Sequence, residues 1–263
     1  MEEPVLTARM PDPVFIQTLE MRLVNAWPAL ETQIVDGWIV RFAGGYSKRA
    51  NSASPLLAGA SLDEAAIDQI IRQFAIRGLP PTFRLTGLQA ADVDARLAAR
   101  GLGEAEPTLA MTATLTQPED PEVGLEPAVT IEAKPKGRWL KEVAAAYGGD
   151  KADHAKLAAI VERIRQTTGF ATLTIDDEPA AWGLAVLERG FVGLFDIVVA
   201  PDLRGLGLGK QIVCALMVWA REAGADQAYL LVREENEAAR DLYRGLGFID
   251  AYRYTHRVSA ARS

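Results

Sequence analysis

The chain has 263 residues, of which 49% are hydrophobic and 24% are charged, and its formal net charge is −7. A chain of this length can bury one or two hydrophobic cores without disulfides or structural metals. The acidic balance argues against a protein that coats nucleic acid or anionic lipid, because phosphate binding requires clustered Lys and Arg.

Metal sites and membrane segments find little support in the composition. Cys214 is the single cysteine, and His154 and His256 are the two histidines, so a site of several thiols or imidazoles is not expected. The longest apolar run, 212–220, is far shorter than the roughly 20 residues that span a bilayer. Residues 1–13 lack the basic and apolar regions of a signal peptide. We expect a cytoplasmic protein with no metal, no membrane partner and no nucleic-acid partner.

The first half of the chain is predicted to alternate helices and strands. Apolar residues at helical spacing predict a helix over 15–27, which Pro28 ends. A strand over 33–42 is interrupted by the turn pair Asp36-Gly37. Further predicted elements are a helix over 61–77, a strand over 82–86, a helix over 90–100 and a strand over 108–115.

A segment near the middle is predicted to be an exposed linker. Residues 116–127 read TQPEDPEVGLEP, with three prolines, one glycine and four acids. A long surface loop within one domain is the alternative. We divide the chain into a first domain, 1–117, a linker, 118–127, and a second domain, 128–263.

The second half is predicted to be a mixed α/β unit. Consecutive strands with short turns imply antiparallel pairing, and strands joined by helices imply parallel neighbours. The predicted elements are a strand (128–132), two helices (137–147, 151–165), three strands (171–175, 180–187, 192–199), a helix (207–223), a strand (228–232), a helix (237–246) and a strand (248–258).

A glycine-rich turn stands between the strand over 192–199 and the helix that follows. Its basic and glycine residues are Arg204, Gly205, Gly207, Gly209 and Lys210. Glycine lets backbone N–H groups approach a phosphate closely, and a helix N-terminus adds unpaired N–H donors. The pattern predicts a pyrophosphate-binding turn, with a β–α turn that binds nothing as the alternative.

Two common phosphate motifs fail at this turn, and a third fits. The dinucleotide fingerprint G-x-G-x-x-G would need glycine where Lys210 stands, and the P-loop would need Ser or Thr where Gln211 stands. The pattern R/Q-x-x-G-x-G/A is met by Arg204, Gly207 and Gly209. The segment therefore resembles the coenzyme-A pyrophosphate motif of the GNAT superfamily of N-acetyltransferases.

A second motif strengthens this resemblance. Residues 236–248, NEAARDLYRGLGF, are similar to the GNAT signature N-x-x-A-x-x-L-Y-x-x-x-G-F. Its matched positions are Asn236, Ala239, Leu242, Tyr243, Gly247 and Phe248. Asn236, Ala239 and Tyr243 share one helix face. The resemblance covers about residues 129–258 and implies a GNAT fold in the second half.

The resemblance implies acetyl transfer from acetyl-CoA to an amine by direct attack on the thioester. Backbone N–H groups at the end of the strand over 192–199 would hold the thioester carbonyl and the pantetheine arm. The residues implied to bind the cofactor are Ile197, Val198, Val199, Arg204, Gly205, Leu206, Gly207, Leu208, Gly209, Lys210, Asn236, Ala239 and Tyr243.

Two residues are candidates for proton transfer. Tyr243 occupies the family position of the acid that protonates the leaving thiolate, and a core aromatic is the alternative. Asp196 is an acid inside an apolar strand, where burial is expected to raise its pKa toward that of a useful base; a structural carboxylate is the alternative. Weaker candidates for the base are Glu188, Tyr254 and His256, and a chain of waters is a further one.

The first half resembles a degenerate copy of the second. With a shift of 144 residues, six of twelve positions in 92–103 match 236–247, and chance similarity is the alternative. In this alignment Arg204 falls on Ala60 and Tyr243 on Ala99. Asp63 and Glu64 stand where phosphate would bind, which predicts that the first unit does not bind coenzyme A.

A few other residues are candidates for the acceptor site. The segment 38–55 resembles the N-terminal halves of some two-part bacterial GNAT proteins, so Tyr46, Arg49 and Asn51 are assigned either to an acceptor cleft or to a solvated hairpin. Trp139 and Tyr147 either line an acceptor pocket or belong to the packing of the core or of its rim. Cys214 is read as a packing residue and His154 as solvated.

The sequence thus predicts an acetyl-CoA-dependent N-acetyltransferase that acts on a primary amine of a small molecule or peptide, as a monomer or homodimer. A non-enzymatic acyl-CoA-binding sensor or assembly module is the alternative, and another acyl donor is a third interpretation. The acceptor itself is not identified by any motif.

Overall fold

The computed structural model describes residues 12–115 and 129–259. The predicted linker, 118–127, and most of the segment 1–13 lie outside the described residues. In the first half the elements are α1 (Pro13–Ala26), β1 (Glu31–Val35), β2 (Trp38–Phe42), β3 (Ala53–Pro55), α2 (Glu64–Ile76), β4 (Thr82–Leu85), α3 (Val93–Ala99) and β5 (Leu102–Thr114). In the second half they are β6 (Val129–Glu132), α4 (Trp139–Ala146), α5 (Lys151–Val161), β7 (Thr167–Ile175), β8 (Glu178–Glu188), β9 (Phe191–Val199), α6 (Leu208–Glu222), β10 (Gln227–Arg233), α7 (Glu237–Arg244) and β11 (Ile249–Ser259).

These elements follow the predicted order, with differences at a few positions. Strand β3 and the 3₁₀ turns Lys48–Ala50 and Pro201–Leu203 are not among the predicted elements. Strand β5 begins at Leu102 rather than near 108, because pairing with β11 sustains it through Gly103 and Pro107, which are poor strand residues. Helix α5 ends at Val161 rather than near 165, where the N–H of Ile164 donates to the carbonyl of Val161, three residues back.

The strands of the described chain form one sheet in the order β1-β2-β3-β4-β11-β5-β10-β9-β8-β7-β6. Strands β3 and β4 pair in parallel, as do β9 and β10, and the other neighbours are antiparallel. The prediction of a mixed α/β fold is confirmed.

The last strand of each half has crossed into the sheet of the other half. Strand β11 pairs with β4, and β5 pairs with β10, while β5 and β11 pair with each other at the centre. We refer to this arrangement as the strand exchange. The division into domains 1–117 and 128–263 stays a prediction, and β5 lies between two strands of the second half.

The offset of the inferred repeat recurs in the helices. Helices α2 and α6 begin 144 residues apart, at Glu64 and Leu208. Helices α3 and α7 begin at Val93 and Glu237, with the same offset of 144. In the first half α2 follows β3 and α3 follows β4. In the second half α6 follows β9 and α7 follows β10, so the two halves repeat one βαβα order.

Helix α1 of the first half packs on strands of the second half and thereby positions the site. Trp27, just after α1, stacks on Phe195 of β9 with ring centroids 5.6 Å apart. Below it, the buried Glu20 of α1 forms an ion pair with Arg84 of β4 and accepts a hydrogen bond from the hydroxyl of Tyr252 in β11. The two halves therefore share one core across the strand exchange.

Candidate active site

Strands β9 and β10 pair in parallel only over their first part. Their register runs from Phe191 opposite Gln227 to Leu194 opposite Leu230, and it ends there. Just beyond, the pairing of β8 with β9 shifts by one residue, so that β9 carries a bulge at Asp196, whose φ is +48°. Bulges bend a strand and re-aim its side chains. The ends of β9 and β10 consequently separate and leave a gap between them.

A cavity of about 660 Å³ opens at this gap, and both halves of the chain line it. The second half contributes the ends of β9 and β10, the start of α7 and the loop after α4. The first half contributes residues 45–49 together with Glu106 and Thr108 of β5. The two predicted catalytic residues, Asp196 and Tyr243, lie in the wall of this one cavity.

Asp196 has a buried carboxyl group, and one of its two oxygen atoms lacks a hydrogen-bond partner among the described residues. The residue is 5% exposed, and its Oδ2 atom has no hydrogen-bond partner within 12–115 and 129–259. Burial raises the pKa of Asp196 to about 6, and the nearby Arg49 guanidinium partly opposes that rise. The predicted direction of the shift is confirmed, while the role of Asp196 as a base stays a prediction.

Tyr243 lies on α7 with its ring packed at an angle against Phe248, at a centroid distance of 5.9 Å. Burial raises the pKa of Tyr243 to about 12, so its hydroxyl keeps its proton across the physiological range. Asn236 caps α7 by accepting a hydrogen bond from the N–H of Ala239 at 3.2 Å. Both of these residues also line the cavity.

The glycine turn follows the end of β9 and leaves the N-terminus of α6 without a side-chain cap. Gly205 and Gly207 have φ values of +83° and +80°, which glycine adopts without strain. Gly207 is the N-cap of α6 and brings no side chain to its first turn, so those N–H groups lack an intrahelical partner. Arg204 is exposed and its guanidinium donates to the carbonyls of Ala146 at 3.3 Å and of Val199 at 3.4 Å.

The remaining predicted cofactor residues fall around this turn. Lys210 and Leu206 are exposed, Ile197 and Val199 are half-buried, and Leu208 and Val198 pack into the core. A Cβ at Gly209 would lie 3.5 Å from Leu242 Cδ1 and 3.7 Å from Val199 Cγ2. An uncapped helix N-terminus beside a gap between two strands fits a ligand with a diphosphate and an extended amide arm.

The weaker candidates for the base lie in unsuitable surroundings. Glu188 accepts hydrogen bonds from the Asn25 amide at 3.0 and 3.2 Å and does not line the cavity. His256 lines the cavity, but burial and neighbouring cations lower its pKa to about 3, which makes it a poor proton acceptor. Tyr254 is buried and packs edge-on against His256 at 5.5 Å.

Of the three first-half candidates for the acceptor site, two line the cavity and the third, Asn51, holds the loop that carries them. Tyr46 and Arg49 line the cavity, and the Arg49 guanidinium lies 4.8 Å from the centroid of the Trp27 ring. The interpretation of Asn51 as solvated is wrong: it is 5% exposed. Its side chain accepts from the N–H groups of Ala43 and Gly45 and donates to the carbonyl of Ser47, which fixes the loop that carries Tyr46.

The other residues singled out by the sequence are also placed. Trp139 packs edge-on against Phe170 and donates from Nε1 to the carbonyl of Ala171, so it belongs to the core. Tyr147 lines the cavity and is 55% exposed. Cys214 is half-buried on α6, where burial raises its pKa and disfavours the thiolate. His154 is half-buried on α5.

Charged residues that sequence reasoning missed complete the cavity wall. Lys48, Glu106, Asp153 and Arg233 line it. Glu106 precedes Pro107 in β5 and has a φ of +51°. A proline inside a strand is a local signal for a bulge, but nothing in the sequence indicates which cavity that bulge faces.

The corresponding cleft of the first half is open but lined by acidic side chains and their ion pairs. The Asp63 carboxylate caps α2 by accepting from the N–H of Ala66 at 2.8 Å. Arg100 of α3 forms ion pairs with Glu64 and Asp68 of α2. The helix N-terminus that holds anions in many proteins is thus occupied by a side chain of this chain.

The described residues show neither a metal-binding cluster nor a membrane-spanning helix. In 12–115 and 129–259 no group of three or more His, Cys, Asp or Glu side chains is arranged to hold a metal ion. Over the same ranges, no helix combines the length and the apolar character that crossing a membrane requires.

Comparison with known proteins gives matches over nearly the whole chain. Residues 15–257 match the protein family described as probable histone acetyltransferase Rv0428c C-terminal. The uncharacterized N-acetyltransferase YobR of Bacillus subtilis is 28% identical over 248 residues, covering 92% of this chain and 98% of that protein. The probable histone acetyltransferase Rv0428c of Mycobacterium tuberculosis is 28% identical over 261 residues, covering 94% of this chain and 73% of that protein.

Solved structures share the architecture. A GCN5-related N-acetyltransferase from Kribbella flavida superposes with a TM-score of 0.67 at 17% identity, covering 96% of this chain and 97% of that one. A tandem GNAT protein from the clavulanic acid biosynthesis pathway gives a TM-score of 0.57 at 13% identity, covering 97% and 91%. The GNAT fold and the two-part architecture predicted from the sequence are confirmed.

Proposed function

The chain belongs to the GNAT superfamily of N-acetyltransferases, within the family that its residues 15–257 match, and on that premise we propose that it transfers an acetyl group from acetyl-CoA to a primary amine. The observation that carries the proposal is the gap between β9 and β10, which opens beside the uncapped N-terminus of α6 and holds Asp196 and Tyr243 in its wall.

The chain's own groups can bind the cofactor in two regions. The N–H groups of the first turn of α6, with Arg204 and Lys210, would hold the pyrophosphate through charge-assisted hydrogen bonds. The backbone of 197–199, which has turned away from β10, would pair with the pantetheine amides and donate to the carbonyl oxygen as it becomes negative. Acetyl-CoA, when bound, supplies an acyl group activated as a thioester.

Proton transfer falls to two side chains of the cavity. An alkylammonium near pKa 10 is only about one part in a thousand neutral at pH 7, so a base is needed. Asp196, with a pKa of about 6, is mostly ionised at pH 7 and would accept that proton. The neutral amine nitrogen would then bond to the acetyl carbon, and the carbon–sulfur bond would break as Tyr243 gives its proton to the sulfur. The second proton of the nitrogen would restore the Tyr243 hydroxyl as the neutral amide forms, and Asp196 would return its proton to solvent.

The test of this function is release of free thiol from acetyl-CoA in the presence of primary amines. We expect amine-dependent release by the wild type and much slower release by Gly207→Asp, which puts a carboxylate at the position of Asp63, the N-cap 144 residues earlier. The new carboxylate would lie beside the N–H groups of α6 and repel phosphate, so calorimetric affinity should fall at least about tenfold.

The control for this experiment is Gly207→Asn. Asparagine adopts a positive φ about as readily as aspartate and carries no charge, so it should weaken binding less. Unchanged affinity in a folded Gly207→Asp protein would refute the placement of the pyrophosphate. Tight binding of coenzyme A by the wild type, with no thiol release from any amine, would favour the sensor or assembly module.

One chain is expected to bind one coenzyme A. The reason is that the Asp63 carboxylate caps the corresponding helix of the first half, and that Glu64 and Asp68, which already pair with Arg100, would repel a phosphate beside it. Titration calorimetry of the full chain should give a stoichiometry near one, and the affinity of that one site should fall at least about tenfold in Gly207→Asp. Two equivalents per chain would contradict the assignment of the first unit as non-binding.

A further inference from the structure

The cavity is flanked by two β-bulges that each aim a carboxylate into it. Asp196 stands on the bulge of β9 and Glu106 on a bulge of β5, where the register with β11 shifts between Tyr254 and His256. Their φ values are +48° and +51°, a conformation that is strained for residues with a Cβ and persists only when the surrounding fold imposes it. The fold thus fixes the positions of both acids.

The two ends of the cavity differ in their electrostatic character. At one end Asp196 is buried and leaves Oδ2 without a partner among the described residues. At the other end one oxygen of Glu106 accepts from both Lys48 Nζ at 2.6 Å and Arg233 Nη2 at 2.9 Å. Two cations of the cavity wall therefore share one carboxylate, and the second contact of Arg233 goes to the exposed Glu235.

His256 adds a further donor at the cationic end. It is 3% exposed, its ring nitrogens make no well-formed hydrogen bond within the described ranges, and the nearby backbone of Ala105 in β5 raises its pKa. The charged neighbours that lower its pKa are all cations, namely Lys48, Arg84 and Arg233. A neutral imidazole carries one N–H, so this end of the cavity offers donors and positive potential to an anionic group.

The distance between the two ends sets the length of a molecule that would reach both. Strand β9, which carries Asp196, is separated from β11, which carries His256, by β10 and β5. Three strand intervals amount to roughly 14 Å between backbones. Arg233 lies nearer, at the end of β10 beside β9, and the side chains reach inward from both ends, so the span from Asp196 to Lys48 and His256 suits an acceptor whose amine and carboxylate are several carbons apart.

We propose that the acceptor is an extended amino carboxylate, whose primary amine lies at Asp196 and whose carboxylate is held by Lys48, Arg233 and His256. This proposal rests on the proposed N-acetyltransferase function and names its class of substrate. Several carbons separate the two groups of such an acceptor, and they would lie along the aromatic wall of Tyr46 and Tyr254.

The experiment compares two acceptors that differ only in charge. Thiol release from acetyl-CoA by the full chain is measured with 6-aminohexanoate and with its uncharged amide, 6-aminohexanamide, and glycine serves as the short acceptor. We expect kcat/KM to be at least about tenfold higher for the carboxylate than for the amide. Glycine should be a poorer acceptor than 6-aminohexanoate, because the proposed span favours a longer separation between the amine and the carboxylate.

Variants locate the source of the preference. Lys48→Met should abolish the preference for the carboxylate, and the exposed Lys134→Met, away from the cavity, should keep it. Lys48→Glu should reverse it, so that 1,6-diaminohexane becomes a better acceptor than 6-aminohexanoate. Lys48→Gln repeats the test if the methionine variant does not fold.

Each outcome decides between the two proposals. Equal kcat/KM for the carboxylate and the amide, with thiol released from both, overturns the inferred substrate class and leaves the N-acetyltransferase function standing. A preference that survives both Lys48→Met and His256→Phe overturns the assigned site. No thiol release from any amine, despite bound coenzyme A, overturns the function and the inference that rests on it.

Discussion

Replacing Tyr243 with phenylalanine is expected to lower kcat by about 10²–10³-fold, the range for loss of a general acid. The pKa of Tyr243 is raised to about 12 by burial, so the hydroxyl is protonated whenever the thiolate leaves. The phenylalanine ring keeps the packing against Phe248. Affinity for acetyl-CoA and the melting temperature should therefore change little, because the hydroxyl acts mainly as charge builds on sulfur.

The measurement is kcat for both proteins with one acceptor across pH 6 to 10. Tyr147→Phe is the matched control, since this residue lines the same cavity, is 55% exposed and has no assigned role in proton transfer. A loss below about threefold at every pH for Tyr243→Phe would remove the residue from the mechanism. A water molecule would then be the proton donor.

Replacing Asp196 with asparagine is expected to lower kcat/KM by about 10²–10⁴-fold, the contribution of a general base. In the wild type the ionised carboxylate predominates above its pKa of about 6. Activity should therefore fall as the pH drops through about 6, and this acidic limb should be absent from the residual activity of Asp196→Asn. A pH profile of kcat/KM for both proteins measures the difference.

The same substitution is expected to stabilise the folded chain at neutral pH. The pKa of Asp196 is raised from 3.8 to about 6 on folding, so the folded state binds its proton more tightly, and stability falls as the pH rises from about 4 to about 6. Asparagine removes this cost, on the order of 2–3 kcal/mol, and accepts the same positive φ. Denaturant unfolding of the wild type and of Asp196→Asn at pH 7 measures the difference in the free energy of unfolding. A loss of stability with unchanged activity would make Asp196 a structural carboxylate.

Much of the fold follows from local patterns in the chain. Apolar periodicity and turn residues such as Asp36-Gly37 predict the strands and helices close to their observed bounds. Strand partners are not local, because β4 would satisfy the same alternation with either β5 or β11. The strand exchange therefore could not be predicted from the sequence.

The residues of the candidate site also differ in how far the local sequence predicts them. Asp196 is an acid within an apolar strand, and Tyr243 belongs to a spaced motif, so both carry a local signal. Lys48 and Arg233 carry none, since they meet through Glu106, which is 58 positions from the first and 127 from the second. Asn51 carries a misleading signal: a polar residue in a loop favours exposure to solvent, whereas Asn51 satisfies backbone groups inside that loop.

The strand exchange also constrains how this chain can be made. Strand β4 emerges early in synthesis, but its partner β11 is the last strand in the described sequence. Until β11 leaves the ribosome, β4 and β5 each present an unpaired edge, and such edges invite pairing with other chains. The sheet of the first half therefore completes only after nearly the whole chain exists, so the first half cannot finish folding before the second has been translated.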